Sequence, residues 1–143
     1  MKISLATNED EILKCWDVLK VLRPHLEQNE FVSTVIEMIS EGYHLAYIEE
    51  DNHAVSAIGY RFQQFLFNGK HCYIDDLATM PGRTGKGYAS KLIDYVIEVC
   101  KRKGLKTLTL DSGFNRIDAH RLYLQKRFEI SAFHFSKKIS PLT

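Results

Sequence analysis

An α/β fold is what the sequence predicts, with helices flanking a mixed sheet in the order β-α-α-β-β-β-α-β-α-β. Three observations carry this. Apolar residues recur at helical spacing in separate stretches of the chain. Two turn signals, Asp51-Asn52 and Asn68-Gly69, join runs rich in aromatic and β-branched residues, which predicts antiparallel hairpins. A strand–helix–strand unit from His71 to Leu110 requires parallel pairing through a right-handed crossover.

Taken in order, Lys2–Leu5 alternates as a short first strand. Thr7 with Asp10 reads as a capping pair, and Ile12, Trp16, Leu19 and Leu22 then predict one amphipathic helix over Asn8–Leu22. Arg23-Pro24 ends it, since the residue before proline disfavours helical angles. Phe31, Val35, Met38 and Ile39 mark a second helix, stopped near Gly42. Tyr43–Glu49, Ala54–Phe67 and His71–Thr79 are the hairpin strands. Gly87–Lys103 carries Tyr88, Leu92, Val96, Val99 and Cys100 on one stripe and stops at Gly104. Lys106–Leu110 is a short strand, Asn115–Lys126 a helix, and Phe128–Lys138 alternates as a final strand.

The chain is organised around Asp75–Ser90. Gly82, Gly85 and Gly87 fall just before a helix start, where unpaired N–H groups and the positive dipole end seat phosphate. Asp75 and Asp76 end the strand that feeds this loop, and binding at that strand end is the rule for α/β sheets. The stretch therefore reads as a seat for a phosphate-bearing cofactor beside an acid–base centre.

Composition narrows the classes. The 143 residues fit one domain spanning 1–143, with 45% hydrophobic and 26% charged residues, ordinary for a soluble globular protein. A net charge of +1 argues against nucleic-acid and membrane partners. No apolar run approaches a membrane span, and MKISLATNEDEI lacks a signal core, so a cytoplasmic location is expected. Cys15, Cys72 and Cys100 lack any CxxC spacing and are expected to be plain thiols. His25, His120 and His134 lack ligand spacing, so no metal is expected.

Element order and loop residues together resemble the GCN5-related N-acetyltransferase (GNAT) family. Thr84-Gly85-Lys86-Gly87-Tyr88-Ala89 is similar to the family loop Arg/Gln-x-x-Gly-x-Gly/Ala, with Thr84 in place of the basic residue, which stands one position earlier at Arg83. Ala119-His120-Arg121-Leu122-Tyr123-Leu124 followed by Phe128 resembles the segment A-x-x-L-Y-x-x-x-G-F. Here Arg116 replaces the family asparagine, with Asn115 displaced by one, and Arg127 replaces the glycine. LRPHL (Leu22–Leu26), GYHLA (Gly42–Ala46), DDL (Asp75–Leu77), LDSG (Leu110–Gly113) and AHRLY (Ala119–Tyr123) resemble one subgroup of small acetyltransferases.

The resemblance implies a single-domain, mostly antiparallel sheet, acetyl-CoA as cofactor and direct transfer to a primary amine of a small molecule or peptide. It implies coenzyme contacts at Leu77, Ala78 and Thr79 through strand-like pairing, at Arg83, Thr84, Gly85, Lys86, Gly87, Tyr88 and Ala89 through loop N–H groups, and at Asn115 or Arg116. An alkylamine has a pKa of ~10.4, so a base must remove its proton near neutral pH. Asp75 is favoured as base or amine-binding group and Asp76 as its structural partner; the alternative is that both are strand-end carboxylates paired with Arg or Lys. Neighbouring strand residues point to opposite faces, so only one is expected to face the acetyl group. Tyr123 matches the family acid that protonates the leaving thiolate. Arg23 and His25 fall in the loop that lines the acceptor pocket in this family. His120 reads as a structural histidine, with contact to substrate or a bond to Asp111 as the alternatives. A homodimer is expected from the fold, and a coenzyme-A-binding module without catalysis is the alternative reading.

Overall fold

The structure, a computed structural model, describes residues 1–142. The chain divides into two compact units, one spanning Met1–Leu110 and one running from Asp111 onward.

The first unit is a five-stranded sheet in the order β1-β2-β3-β4-β5. Its strands are β1 (Ser4–Leu5), β2 (Tyr43–Glu50), β3 (His53–Phe65), β4 (Gly69–Thr79) and β5 (Leu108–Leu110). The first three pairings are antiparallel and β4 pairs β5 in parallel, the mixed sheet expected from the hairpins and the crossover. Asp51 and Asn52 both take positive φ, 49° and 68°, between the register partners Glu50 and His53. A two-residue loop of that hand matches the twist of the strands it joins.

The expected first helix is two: α1 (Glu9–Lys14) and α2 (Trp16–Leu22). Cys15 interrupts them at φ −88°, ψ 0°, and its N–H turns back to Ile12 in a tighter i→i−3 bond of 2.9 Å. The cap also sits one residue later than Thr7. Asn8 accepts from the Glu11 N–H at 2.9 Å, while Glu11 accepts from the Thr7 N–H and hydroxyl. That is a variant of the capping box in which Glu11 reaches back past the N-cap to Thr7.

With α3 (Gln28–Ser40), these helices bury Ile12, Val18, Leu19, Phe31 and Val35 against Leu45, Tyr47 and Ala57 of the sheet. Each large apolar side chain so buried contributes about 1.5–3 kcal/mol. The alternate strand residues Ala46, Ile48 and Ile58 are equally buried, on the face that α4 (Tyr88–Arg102) covers with Leu92, Ile93 and Val96.

The second unit holds α5 (Ile117–Gln125). The final strand expected over Phe128–Lys138 is not among its elements. A strand exists only as one side of a hydrogen-bonded ladder, and among the described residues no ladder includes this stretch. At the end of α5, Arg127 donates to Leu124 O and Phe128 to Tyr123 O, both at 3.0 Å, with Arg127 at φ 68°. This is a Schellman close, and its left-handed position favours glycine. Arg127→Gly is expected to raise stability by about 1 kcal/mol in urea unfolding; an unchanged midpoint would show that the arginine side chain compensates locally.

Candidate active site

Asp75 and Asp76 lie where the β3–β4 ladder slips. Gly59 pairs with Asp76 but Tyr60 pairs with Ile74, which leaves Asp75 as the extra residue of a β-bulge. Strict alternation therefore fails here, and the expectation that the two carboxylates face opposite ways is corrected. Both engage side chains of one sheet face. Tyr43 and Arg61 are register partners on β2 and β3. The Arg61 Nε donates to both oxygens of Asp75 at 3.0 Å, and its Nη2 lies 2.8 Å from Oδ2. The Tyr43 hydroxyl donates to Asp76 Oδ2 at 2.7 Å. The Arg61 guanidinium lies 5.5 Å from the centre of the Tyr43 ring, closing the cluster.

Gly59 makes this possible. A Cβ there would stand 1.9 Å from the Tyr43 hydroxyl oxygen and 2.4 Å from Cζ. The phenol reaches Asp76 only because it passes over a bare Cα.

Arg23, beyond the end of α2, completes the group. Its Nε donates to Asp76 Oδ1 at 3.1 Å and its Nη2 to the Asp75 carbonyl at 2.9 Å. Lys20 fixes the loop that carries Arg23 by donating to the carbonyls of Pro24 and Leu26. Three of the quoted segments, LRPHL, GYHLA and DDL, thus meet at one pair of carboxylates. Burial pushes the Asp75 carboxyl above its ordinary value, against the pull of Arg61. Burial, with the charge of Asp76 beside it, lifts the Tyr43 phenol well above its own, so Tyr43 stays a donor.

Downstream, β4 parts from β5. Their ladder covers only Cys72–Ile74 with Leu108–Leu110. Over Asp75–Thr79, β4 pairs only with β3 among the strands of this unit. Leu77 and Ala78 are buried in this stretch, and the Thr79 hydroxyl lies 2.9 Å from that of Ser56.

The chain then turns through a 3-10 segment, Pro81–Arg83, into the loop. Gly85 and Gly87 take φ 77° and 84°, which side-chain-bearing residues rarely adopt, and no atom stands within 4 Å of where a Cβ would go. Gly87 caps α4 without a side-chain bond, and no acidic residue occupies the first turn. Among the described residues, the side-chain and loop bonds from Thr84 to Ser90 are those of the Thr84 and Tyr88 hydroxyls and the Gly87 carbonyl. The N–H groups of this stretch therefore lead into a helix start with unspent donors.

Arg83 departs from expectation. Its N–H is spent on Met80 O at 2.8 Å, and its Nε donates to Glu50 Oε2 at 2.7 Å. The same carboxylate oxygen accepts from the Tyr88 hydroxyl at 3.0 Å. Arg83 holds the Glu50 carboxyl below its ordinary value. Glu50, at the end of β2, thus ties both ends of the loop to the β2–β3 hairpin. It is a residue for which the sequence carried no local signal. Lys86 is exposed, and no ion pair holds it among the described residues.

The second unit holds the remaining residues. Tyr123 is 8% exposed, stands edge-on to Phe128 at 5.8 Å, and is pushed above its ordinary value by burial. Arg116 precedes α5 and its N–H bonds Gly113 O. Asn115 is exposed beside Gly113. The His120 Nε2–H donates to Gly113 O at 2.8 Å, the bond of a structural histidine, and Asp111 lies 3.6 Å from the His134 Nδ1. His25 is exposed in the first unit.

Known proteins share this fold. The chain is 27% identical over 135 residues to the uncharacterized N-acetyltransferase YhdJ of Bacillus subtilis (strain 168), covering 93% of this chain and 95% of that protein. Its fold matches a putative acetyltransferase from Agrobacterium tumefaciens str. C58 with a TM-score of 0.83 at 17% identity, covering 97% of this chain and 100% of that one. It also matches a predicted acetyltransferase with acetyl-CoA from Clostridium acetobutylicum, with a TM-score of 0.72 at 15% identity and 96% of each chain covered. The model of the acetyltransferase (GNAT) family matches residues 9–128, which is most of the length, and the chain belongs to that family.

Proposed function

We propose that residues 1–143 act as one acetyl-CoA-dependent N-acetyltransferase domain, transferring the acetyl group directly to a primary amine of a small molecule or peptide. The observation that carries this is the run of N–H groups over Thr84–Ser90 left unspent among the described residues, opening a helix that follows, after a short turn, the strand carrying two carboxylates. A pyrophosphate fits such donors, and the empty space above Gly85 and Gly87 leaves room for it. Acetyl-CoA, when bound, supplies the acetyl thioester.

The chain's own residues do the rest. The unpaired edge of β4 over Leu77–Thr79 offers amides to the pantetheine arm and an N–H to the carbonyl oxygen as it gains charge. Asp75 takes the proton of the amine. Arg61 keeps Asp75 ionised despite its burial, and Asp76 holds Arg23 and Tyr43 around it. Tyr123 is assigned the proton returned to the leaving sulfur, on its match to the family segment. The cytoplasmic location and the homodimer belong to the same reading.

Calorimetry with coenzyme A tests the first half, and binding below millimolar concentration is expected. Thiol release with a panel of amines tests the second. Tyr123→Phe is expected to lower kcat by about 10²-fold with little change in coenzyme affinity; equal turnover removes the acid role. Tight coenzyme binding with no turnover of any amine favours the non-catalytic module.

A further inference from the structure

We propose that the acceptor amine also carries an oxyanion, a carboxylate or a phosphate, and that Arg23 receives it. This rests on the reading of Asp75 and Asp76 as the acceptor end of the site.

The argument starts from charge. Two carboxylates side by side suggest a cationic acceptor, but here each is balanced by an arginine. Asp75 is paired with Arg61 through both carboxylate oxygens, and the two side chains keep 20% and 24% of their exposure. Asp76, 14% exposed, is held by Arg23 and by the Tyr43 hydroxyl. The cluster of two acids and two guanidiniums is neutral, so a simple cation gains no net attraction from it and meets two arginines at close range.

What the cluster does offer is donors. The Arg23 side chain is 44% exposed, three times the exposure of the carboxylate beneath it. Nε and Nη2 are spent on Asp76 and the Asp75 carbonyl, but Nη1 has no partner among the described residues. Its two N–H bonds are held in one orientation by the rest of the group, so the rotamer entropy that an arginine loses on binding is already paid. A planar guanidinium presented this way suits a carboxylate or phosphate.

The backbone beneath is also fixed. Pro24 follows directly, Lys20 bonds the Pro24 and Leu26 carbonyls, and the Leu26 N–H bonds Arg23 O at 3.1 Å. His25, exposed on this braced loop and without a partner, adds a second donor. An acceptor with an acid group and an amine then meets Arg23 with the first and Asp75 with the second.

The test uses the full chain with acetyl-CoA and two matched pairs of acceptors: β-alanine with β-alaninamide, and phosphoethanolamine with ethanolamine. In at least one pair the acid is expected to lead by about tenfold or more in kcat/KM, and that pair identifies the oxyanion. Arg23→Gln is expected to cut the preference to about threefold or less, mainly through KM, and Arg23→Lys to restore part of it. Coenzyme A affinity, measured by calorimetry, is expected to stay level in both variants.

Equal use of both members of each pair, or a preference that survives Arg23→Gln, overturns the proposal. The same four compounds titrated by NMR against the protein, free and with coenzyme A, decide the matter where turnover is absent. Binding of an acid that Arg23→Gln abolishes supports the proposal, and equal binding within both pairs overturns it. Failure to bind coenzyme A at all counts against the acetyltransferase reading instead.

Discussion

Gly59→Ala is expected to cost about 2–4 kcal/mol of stability, far more than an alanine in a strand normally does. The added methyl has no free volume, because the Tyr43 hydroxyl and ring carbons occupy its place within 2.5 Å. Either the two strands part or the phenol swings away. The second course strips Asp76 of its donor and leaves a buried hydroxyl without a partner. Urea unfolding gives the stability change. Acetylation should fall with it, since the site loses its shape in either case. The double variant Gly59→Ala/Tyr43→Ala should recover part of the stability but not the activity. A single Gly59→Ala chain as stable as its parent would mean that Tyr43 repacks freely and that the bare Cα is incidental.

Arg61→Gln is expected to move the acid limb of the kcat/KM profile to higher pH. Burial already raises the Asp75 carboxyl, Asp76 raises it further, and Arg61 is the chief group holding it down. Without Arg61 only weaker opposition from Arg23 remains, so more alkaline solution is needed to ionise the base. The same sign governs stability. A carboxyl whose folded pKa lies above its unfolded one contributes stability that is full below the unfolded pKa and is lost as pH rises through the folded one. Arg61→Gln should therefore lose more stability at neutral pH than in mild acid. Profiles of kcat/KM and urea midpoints measured across the same pH range check both statements. An acid limb that stays in place would remove Asp75 as the base and direct attention to Asp76.

Much of this was legible along the chain because the signals are local. Asn68-Gly69 and Asp51-Asn52 announce their turns, and the glycines before α4 announce a loop with positive φ. Asp75 and Asp76 stood out by adjacency. What surrounds them did not, because it depends on registry between strands far apart in sequence. Tyr43, Gly59 and Arg61 read as ordinary strand residues until β2, β3 and β4 are laid side by side. The bulge at Asp75 leaves no mark of its own in the sequence, yet it undoes the period-two rule just where that rule was applied. The break at Cys15 was hidden for a related reason. The apolar spacing continues smoothly through it, so periodicity gives no hint that the backbone tightens there. Arg127 shows the reverse case. The departure from glycine was visible in the sequence, and only the backbone shows that the residue is nonetheless held in the glycine conformation.

The clasp of Glu50 on Arg83 and Tyr88 has a consequence for how the loop responds to its surroundings. A basic residue beside a phosphate seat usually makes binding fall steeply as salt is added, because the attraction is long-ranged and screened within about 10 Å at 0.1 M. Here that charge is cancelled within its own ion pair, and what remains is a set of short, directional N–H contacts with one free lysine nearby. If the loop binds coenzyme A as proposed, it grips by shape more than by field, and the affinity measured by calorimetry is expected to stay nearly level between dilute buffer and concentrated salt.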